Sequence, residues 1–202
     1  MLNNIIIRIN SVLSIGYTFF IKKNFYSFGK SKVYLNTQIT NPKAISIKDN
    51  TVIRGGAWLL AISNEKSEFP VIEIGSNVYF GRNLHLTALK NVIIEDNVLI
   101  ADKVYISDNN HGFQEIFIPI KSQPITYKGK VVISAGAWIG ENACIIGCCI
   151  GKNSIVGANS VVLKDVPDYS IAAGNPAKII KRYNFETKQW VKTKPNGEFL
   201  NE

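Results

Sequence analysis

Isoleucine, valine or leucine returns at every sixth position through much of the chain. Ile74, Phe80 and Leu86 are six apart, as are Ile94, Ile100 and Ile106, then Ile133, Ile139 and Ile145, then Ile150, Val156 and Val162. Gly follows several of these positions (Gly75, Gly140, Gly151), and Asn often sits two places further on. A period of six matches neither the 3.6 of a helix nor the two of a plain strand. It fits a solenoid whose triangular coil takes three six-residue sides. One apolar side chain per side points inward, and Gly or Asn stands where the chain bends at positive φ.

The pattern begins near Val33, with Ile39 and Ile45 at the same interval, and a second turn reads Ile47, Ile53 and Leu59. Residues 61–70 break it with charge and Pro, which predicts a small loop. It fails again from Asp108 to Lys130, in DNNHGFQEIFIPIKSQPITYKGK, then resumes at Val131 and runs to Leu163. A connection of that length is usually functional. Ile145 to Ile150 is five residues rather than six, so a tighter corner is expected at Gly147, Cys148 and Cys149. The division predicted is an N-terminal helical segment over 1–30, a solenoid domain over 31–182 with a protruding loop at 108–130, and a polar tail over 183–202.

The first 32 residues carry five Lys or Arg and no acid. Ile5, Ile9, Val12 and Leu13 fall at helical spacing, but Asn3, Asn4, Arg8, Asn10, Ser11 and Ser14 interrupt the apolar run. Those breaks argue against a transmembrane helix, which needs about 20 mostly apolar residues, and against a signal peptide. Two readings stand: a cap over the open end of the coil, or a helix lying on a membrane surface through residues 1–28. The net charge of +8 calls for nucleic acid, an anionic membrane surface or a phosphorylated small molecule. No aromatic-basic stacking motif supports nucleic acid. Three Cys without CxxC spacing predict reduced thiols in the coil and a cytoplasmic setting, at the inner membrane face if the N-terminus docks there.

Five stretches together resemble the hexapeptide-repeat acyltransferases: IEIGSNVYFGRN, VIIEDNVLIADKVYISDNNHGF, VVISAGAWIGENACI, IGKNSIVGANSVVLKDVP and AAGNPAKIIKR. Within that family the chain is similar to galactoside and maltose O-acetyltransferases and to O-acetyltransferases of bacterial surface polysaccharides. The resemblance implies an all-β fold, a left-handed parallel β-helix with an N-terminal helical segment and a short C-terminal helix. It also implies a homotrimer with active sites between subunits.

His111 stands at the mouth of the irregular loop and matches the family's catalytic His. A loop imidazole suits a general base near neutral pH. The resemblance implies direct transfer of acetyl from acetyl-CoA to a saccharide hydroxyl, with a backbone N–H near Ser134–Gly136 for the oxyanion and no metal. Many polysaccharide-modifying relatives read Asp-His-Asn-His-Gly where this chain has Asp108-Asn109-Asn110-His111-Gly112. Asn83 is implied as an acceptor contact, although an Asn there is equally a coil corner. His85 shares its strand face if the strand is regular, for acceptor binding or for packing. Trp138 and Ala158 are implied beside the pantetheine arm, with Lys164, Lys178, Lys181 and Arg182 for the CoA phosphates; the plain alternative is an exposed aromatic and a solvated basic face. Cys148 and Cys149 are not expected to act as nucleophiles. Two His in the whole chain exclude the three-His zinc site of a carbonic anhydrase on the same solenoid. N-acetylation of a nucleotide-linked amino sugar and a non-catalytic solenoid scaffold remain as alternatives.

Overall fold

The computed structural model describes residues 2–62 and 69–200, without the side chains of 2–8. Most of the loop expected over 61–70, and the Ile5 and Arg8 side chains, therefore lie outside the described residues. The rest of the chain winds into coils whose three sides form three sheets of parallel strands. The first sheet stacks Ser27–Phe28, Ile45–Ile47, Ile72–Ile74, Val92–Ile94 and Val131–Ile133. The second runs from Lys32–Val33 through Tyr79–Phe80 and Trp138–Ile139 to Ser170–Gly174. Gln38–Thr40, Trp58–Ala61, His85–Ala88, Tyr105–Ser107, Cys144–Ile146 and Val161–Val162 build the third.

The six-residue period is the spacing of the inward columns. Ile74, Ile94 and Ile133 are paired in register on the first side, as are Phe80, Ile100, Ile139 and Val156 on the second. Leu59, Leu86, Ile106, Ile145 and Val162 align on the third. All are fully or almost fully buried, so each coil completes its core only against the coils above and below. The corners between the second and third sides stack Asn36, Gly56, Asn83, Lys103, Asn142 and Asn159, all at positive φ. Asn is favoured there because its short polar side chain tolerates the left-handed conformation. The five-residue step closes as expected. Gly147 turns at φ 59°, Cys148 packs inside, and Ile150 still bridges Ile133.

Among the described residues one α-helix, α1 (Leu2–Ile21), precedes the coils. Its hydroxyl-bearing side faces the protein, along the free edge of the second sheet. Thr18 Oγ1 donates to the Val33 carbonyl and accepts the Val33 N–H, both at 3.0 Å, and the Leu35 N–H donates to Ser14 Oγ at 3.3 Å. Tyr17 OH donates to the Thr37 carbonyl at 3.1 Å. These side chains occupy donors and acceptors that another strand would have taken.

Among the described residues the expected C-terminal helix is not seen. Ala177–Asn184 instead folds back antiparallel on Ser170–Gly174, and Gln189–Lys192 pairs antiparallel with it in turn. The reversal occurs at Gly174-Asn175-Pro176, with Gly174 at φ 104°. Alternation then prevails over helix: Ile179 is buried against the last coil while Lys178 and Ile180 are exposed, a period-two pattern in β-branched residues.

Candidate active site

The chain leaves the stack after Ser107 and returns at Val131. Asn109–His111 pairs antiparallel with Ile125–Tyr127, so the excursion is a hairpin with an ordered base. Asp108, completely buried, anchors its exit. The Leu89 N–H donates to Oδ1 at 2.7 Å, and the Lys90 and Asn91 N–H groups donate to Oδ2 at 2.8 Å. Asn109 is also buried. Its Nδ2 donates to Asp108 Oδ1 at 2.9 Å and to Thr87 Oγ1 at 3.4 Å. The position that departs from the relatives' His is thus turned inward and braces the carboxylate. Further out, Gln123 Nε2 donates to the Glu115 and Ile118 carbonyls, both at 2.9 Å.

This scaffold presents the His111 side chain at the surface. A groove of about 270 Å³ opens beside it, between the hairpin and the outer face of the third sheet. His85 lines the same groove, so the two histidines of the chain meet there. The His85 ring is stacked on Trp58, with centroids 4.4 Å apart and planes 7° apart, and Tyr105 tilts against its other side at 5.1 Å. Register produces this sandwich, since Trp58, His85 and Tyr105 are directly paired on adjacent strands. His85 Nε2 is buried with no hydrogen-bond partner. Burial pushes its pKa below the ordinary histidine value, which favours the neutral ring at neutral pH.

Asn83 is placed differently from the expectation. The strand begins at His85, and Asn83 is the left-handed corner before it, at φ 55°. Its side chain lies so close to Gly56 that a Cβ there would collide with it. It therefore does not share the His85 face, nor does it line the groove. The amides of 134–136 are also unavailable as oxyanion donors. Ser134 N–H is bound to the Ile150 carbonyl, Ala135 N–H to Glu95 Oε2 and Gly136 N–H to the Asp96 carbonyl. Those bonds stitch a corner between the first and second sides, whereas His111 lies by the third.

The residues expected to hold CoA are spread along the second sheet and the C-terminal end. Trp138 is half-exposed on the second sheet's outer face, paired between Leu99 and Ile155. Ala158 is exposed at the corner before Asn159, and Lys164 is exposed beyond the last strand of the third sheet. Lys178 and Lys181 line an open, largely apolar groove of about 670 Å³ with Pro176 and Lys192. Arg182 is used within the chain: its Nη1 donates to the Gly197 carbonyl at 3.5 Å. Burial pushes the Cys148 thiol up to about 12, which leaves it protonated and a poor nucleophile. Among the described residues, no three His, Cys, Asp or Glu side chains are grouped to hold a metal ion. Nor is any described helix long and apolar enough to cross a membrane.

Sequence comparison places the chain beside acetyl-transferring proteins. It is 41% identical over 129 residues to a protein of Escherichia coli K12, WbbJ, named as a lipopolysaccharide biosynthesis O-acetyl transferase. That match covers 60% of this chain and 66% of WbbJ. The galactoside O-acetyltransferase of the same organism is 36% identical over 120 residues, covering 59% of this chain and 58% of the enzyme. The chain thus spans between about half and two thirds of the length of these two relatives. No family model matches it. Among solved structures, a point mutant of AntD, an N-acyltransferase from Bacillus cereus with dTDP and coenzyme A bound, aligns with a TM-score of 0.66 at 25% identity. It covers 83% of this chain and 90% of AntD. A hexapeptide-repeat-containing acetyltransferase of Vibrio cholerae, complexed with acetyl-CoA, aligns with a TM-score of 0.62 at 23% identity, over 88% of this chain and 82% of that one. At 23% identity the Vibrio likeness is one of fold.

Proposed function

We propose that the chain is a hexapeptide-repeat acyltransferase, on its similarity to WbbJ and the galactoside O-acetyltransferase and its fold likeness to the Vibrio protein, and that it is an acetyl-CoA-dependent O-acetyltransferase. Its acceptor is a sugar hydroxyl of a cell-surface polysaccharide or its precursor, on a coil of left-handed sense. The observation that carries this reading is the exposed His111 imidazole, held by a braced hairpin at the rim of an aromatic-lined groove. The groove takes the acceptor. Its aromatic wall, Trp58 with His85 and Tyr105, suits the apolar face of a pyranose ring.

His111 removes the proton of the acceptor hydroxyl as the oxygen attacks the thioester carbonyl. The tetrahedral intermediate collapses, the C–S bond breaks, and the CoA thiolate leaves with the proton that His111 returns. No acyl-enzyme is formed. Trp138, Ala158, Lys164, Lys178 and Lys181 are the candidate CoA contacts. Trp138, Lys178 and Lys181 lie on the second sheet, a different side of the coil from His111, which fits acyl donor and base belonging to different copies of the chain. This supports a homotrimer, which would also cover exposed apolar loop residues such as Ile116 and Phe117. Acetyl-CoA as donor suits a cytoplasmic setting.

Replacing His111 by Ala should lower kcat for acetyl transfer by roughly 10²- to 10⁴-fold, with thermal stability and CoA binding retained. Wild-type turnover by that variant would overturn the assignment. A second reading, transfer to an amine of a nucleotide-linked amino sugar, is favoured by the likeness to AntD. Mass spectrometry of products from matched hydroxyl and amine acceptors separates the two.

A further inference from the structure

Helix α1 is inside out. Its protein-facing side carries Ser14 and Thr18, both buried, with Ser11, Tyr17 and Ile21 half-buried around them. The opposite side carries Ile9, Val12, Leu13, Ile15, Phe19 and Phe20, each more than half exposed. At 3.6 residues per turn these six and Gly16 fill one arc of roughly 160°, which no other residue of 9–20 enters. The polar groups serve the sheet edge, so the apolar stripe that a surface helix ordinarily buries faces outward.

Charge specifies what covers it. The first 48 residues hold seven Lys or Arg and no Asp or Glu; the first acid is Asp49. Lys22 and Lys23 are exposed immediately after the helix, and Lys30 is exposed just beyond. Lys22 Nζ lies 4.8 Å from the Phe19 ring centroid. Aromatic rings at the helix end, with ammonium groups beside them, suit the boundary between acyl chains and anionic head groups. A second copy of the same helix would bring like charges together, which disfavours self-pairing. The helix is not apolar enough to span a bilayer.

We propose that the outward face of α1 docks on an anionic lipid surface. The helix lies in the plane of the interface with Phe19 and Phe20 among the acyl chains and Lys22 and Lys23 at the head groups. This inference is independent of the transferase reading, because no residue of the groove enters it.

The test is flotation of the full chain with phosphatidylcholine vesicles made with and without phosphatidylglycerol. The expected result is strong partitioning only into the anionic vesicles, weakened by added salt. Lys22→Glu with Lys23→Glu should reduce it by roughly tenfold or more, and Phe19→Gln with Phe20→Gln by at least about tenfold. These side chains point away from the coil, so circular dichroism and melting should match wild type. If the aromatic pair proves misfolded, the lysine pair and the wild-type dependence on lipid charge decide. The proposal is overturned if wild type stays unbound, if it binds both vesicle types equally, or if both folded double variants bind as wild type does. It is equally overturned if wild type stays unbound while Phe19→Gln with Phe20→Gln lowers the mass by light scattering; the face then meets another copy of the chain.

Discussion

Residues 92–107 and 108–130 adjoin in sequence, and both are rich in isoleucine. In the first, Ile94, Ile100 and Ile106 are wholly buried; in the second, Ile116 and Phe117 are 83% and 93% exposed. The difference lies in what stands above and below. Each strand of 92–107 is paired on one side with 72–88 and on the other with 131–146. The excursion has no such neighbours. It is held by polar groups, the Asp108 carboxylate at its exit and the Gln123 amide near its tip. In this molecule the stack decides whether an apolar side chain is buried, and the segment freed from the stack carries His111.

The comparison can be broken most forcefully in the core. Ile100→Ala removes a side chain enclosed by Phe80 and Ile139 in its column and should cost about 4 kcal/mol in chemical denaturation. Phe117→Ala should stay within about 0.5 kcal/mol in a monomeric preparation; equal losses at the two positions would refute the contrast. Next comes Asp108→Ala, which strands three backbone N–H groups of 89–91. A loss of about 3 kcal/mol is expected, with His111-dependent activity falling alongside. Retention of both would mean that the hairpin's exit needs no carboxylate. The smallest effect should follow Gln123→Ala, about 1 kcal/mol. Faster amide exchange confined to the 112–124 segment is its signature, and exchange spreading into the coils would contradict the separation drawn here.

Much of the stack was legible because the period of six reports the inward columns directly. The tight corner at Gly147 was legible for the same reason, as a count that fell one short. The His111 hairpin showed as the place where the count stops. What the period could not report was the outward face. Trp58, His85 and Tyr105 are 27 and 20 residues apart, and only the strand register makes them neighbours. Asn83 is two residues from His85 in a strand pattern, but the corner ends there and separates their directions. Asp108 escaped notice because its partners are backbone amides of 89–91, which carry no sequence signal. The C-terminal helix failed for a related reason: pairing with Ser170–Gly174 supplied a partner that favoured the extended form of Ala177–Asn184.

That returning strand also governs assembly along the axis. A solenoid of parallel strands ends in an edge that matches the edge at its beginning, and two such ends from different molecules can join into a fibre. Here the second sheet finishes in antiparallel strands, so its last edge runs opposite to the direction a following coil would need. At the other end, Thr18 and Ser14 occupy the groups that an added coil would pair with. The second sheet is thus closed at both ends by chemistry of its own, which disfavours head-to-tail joining through that sheet.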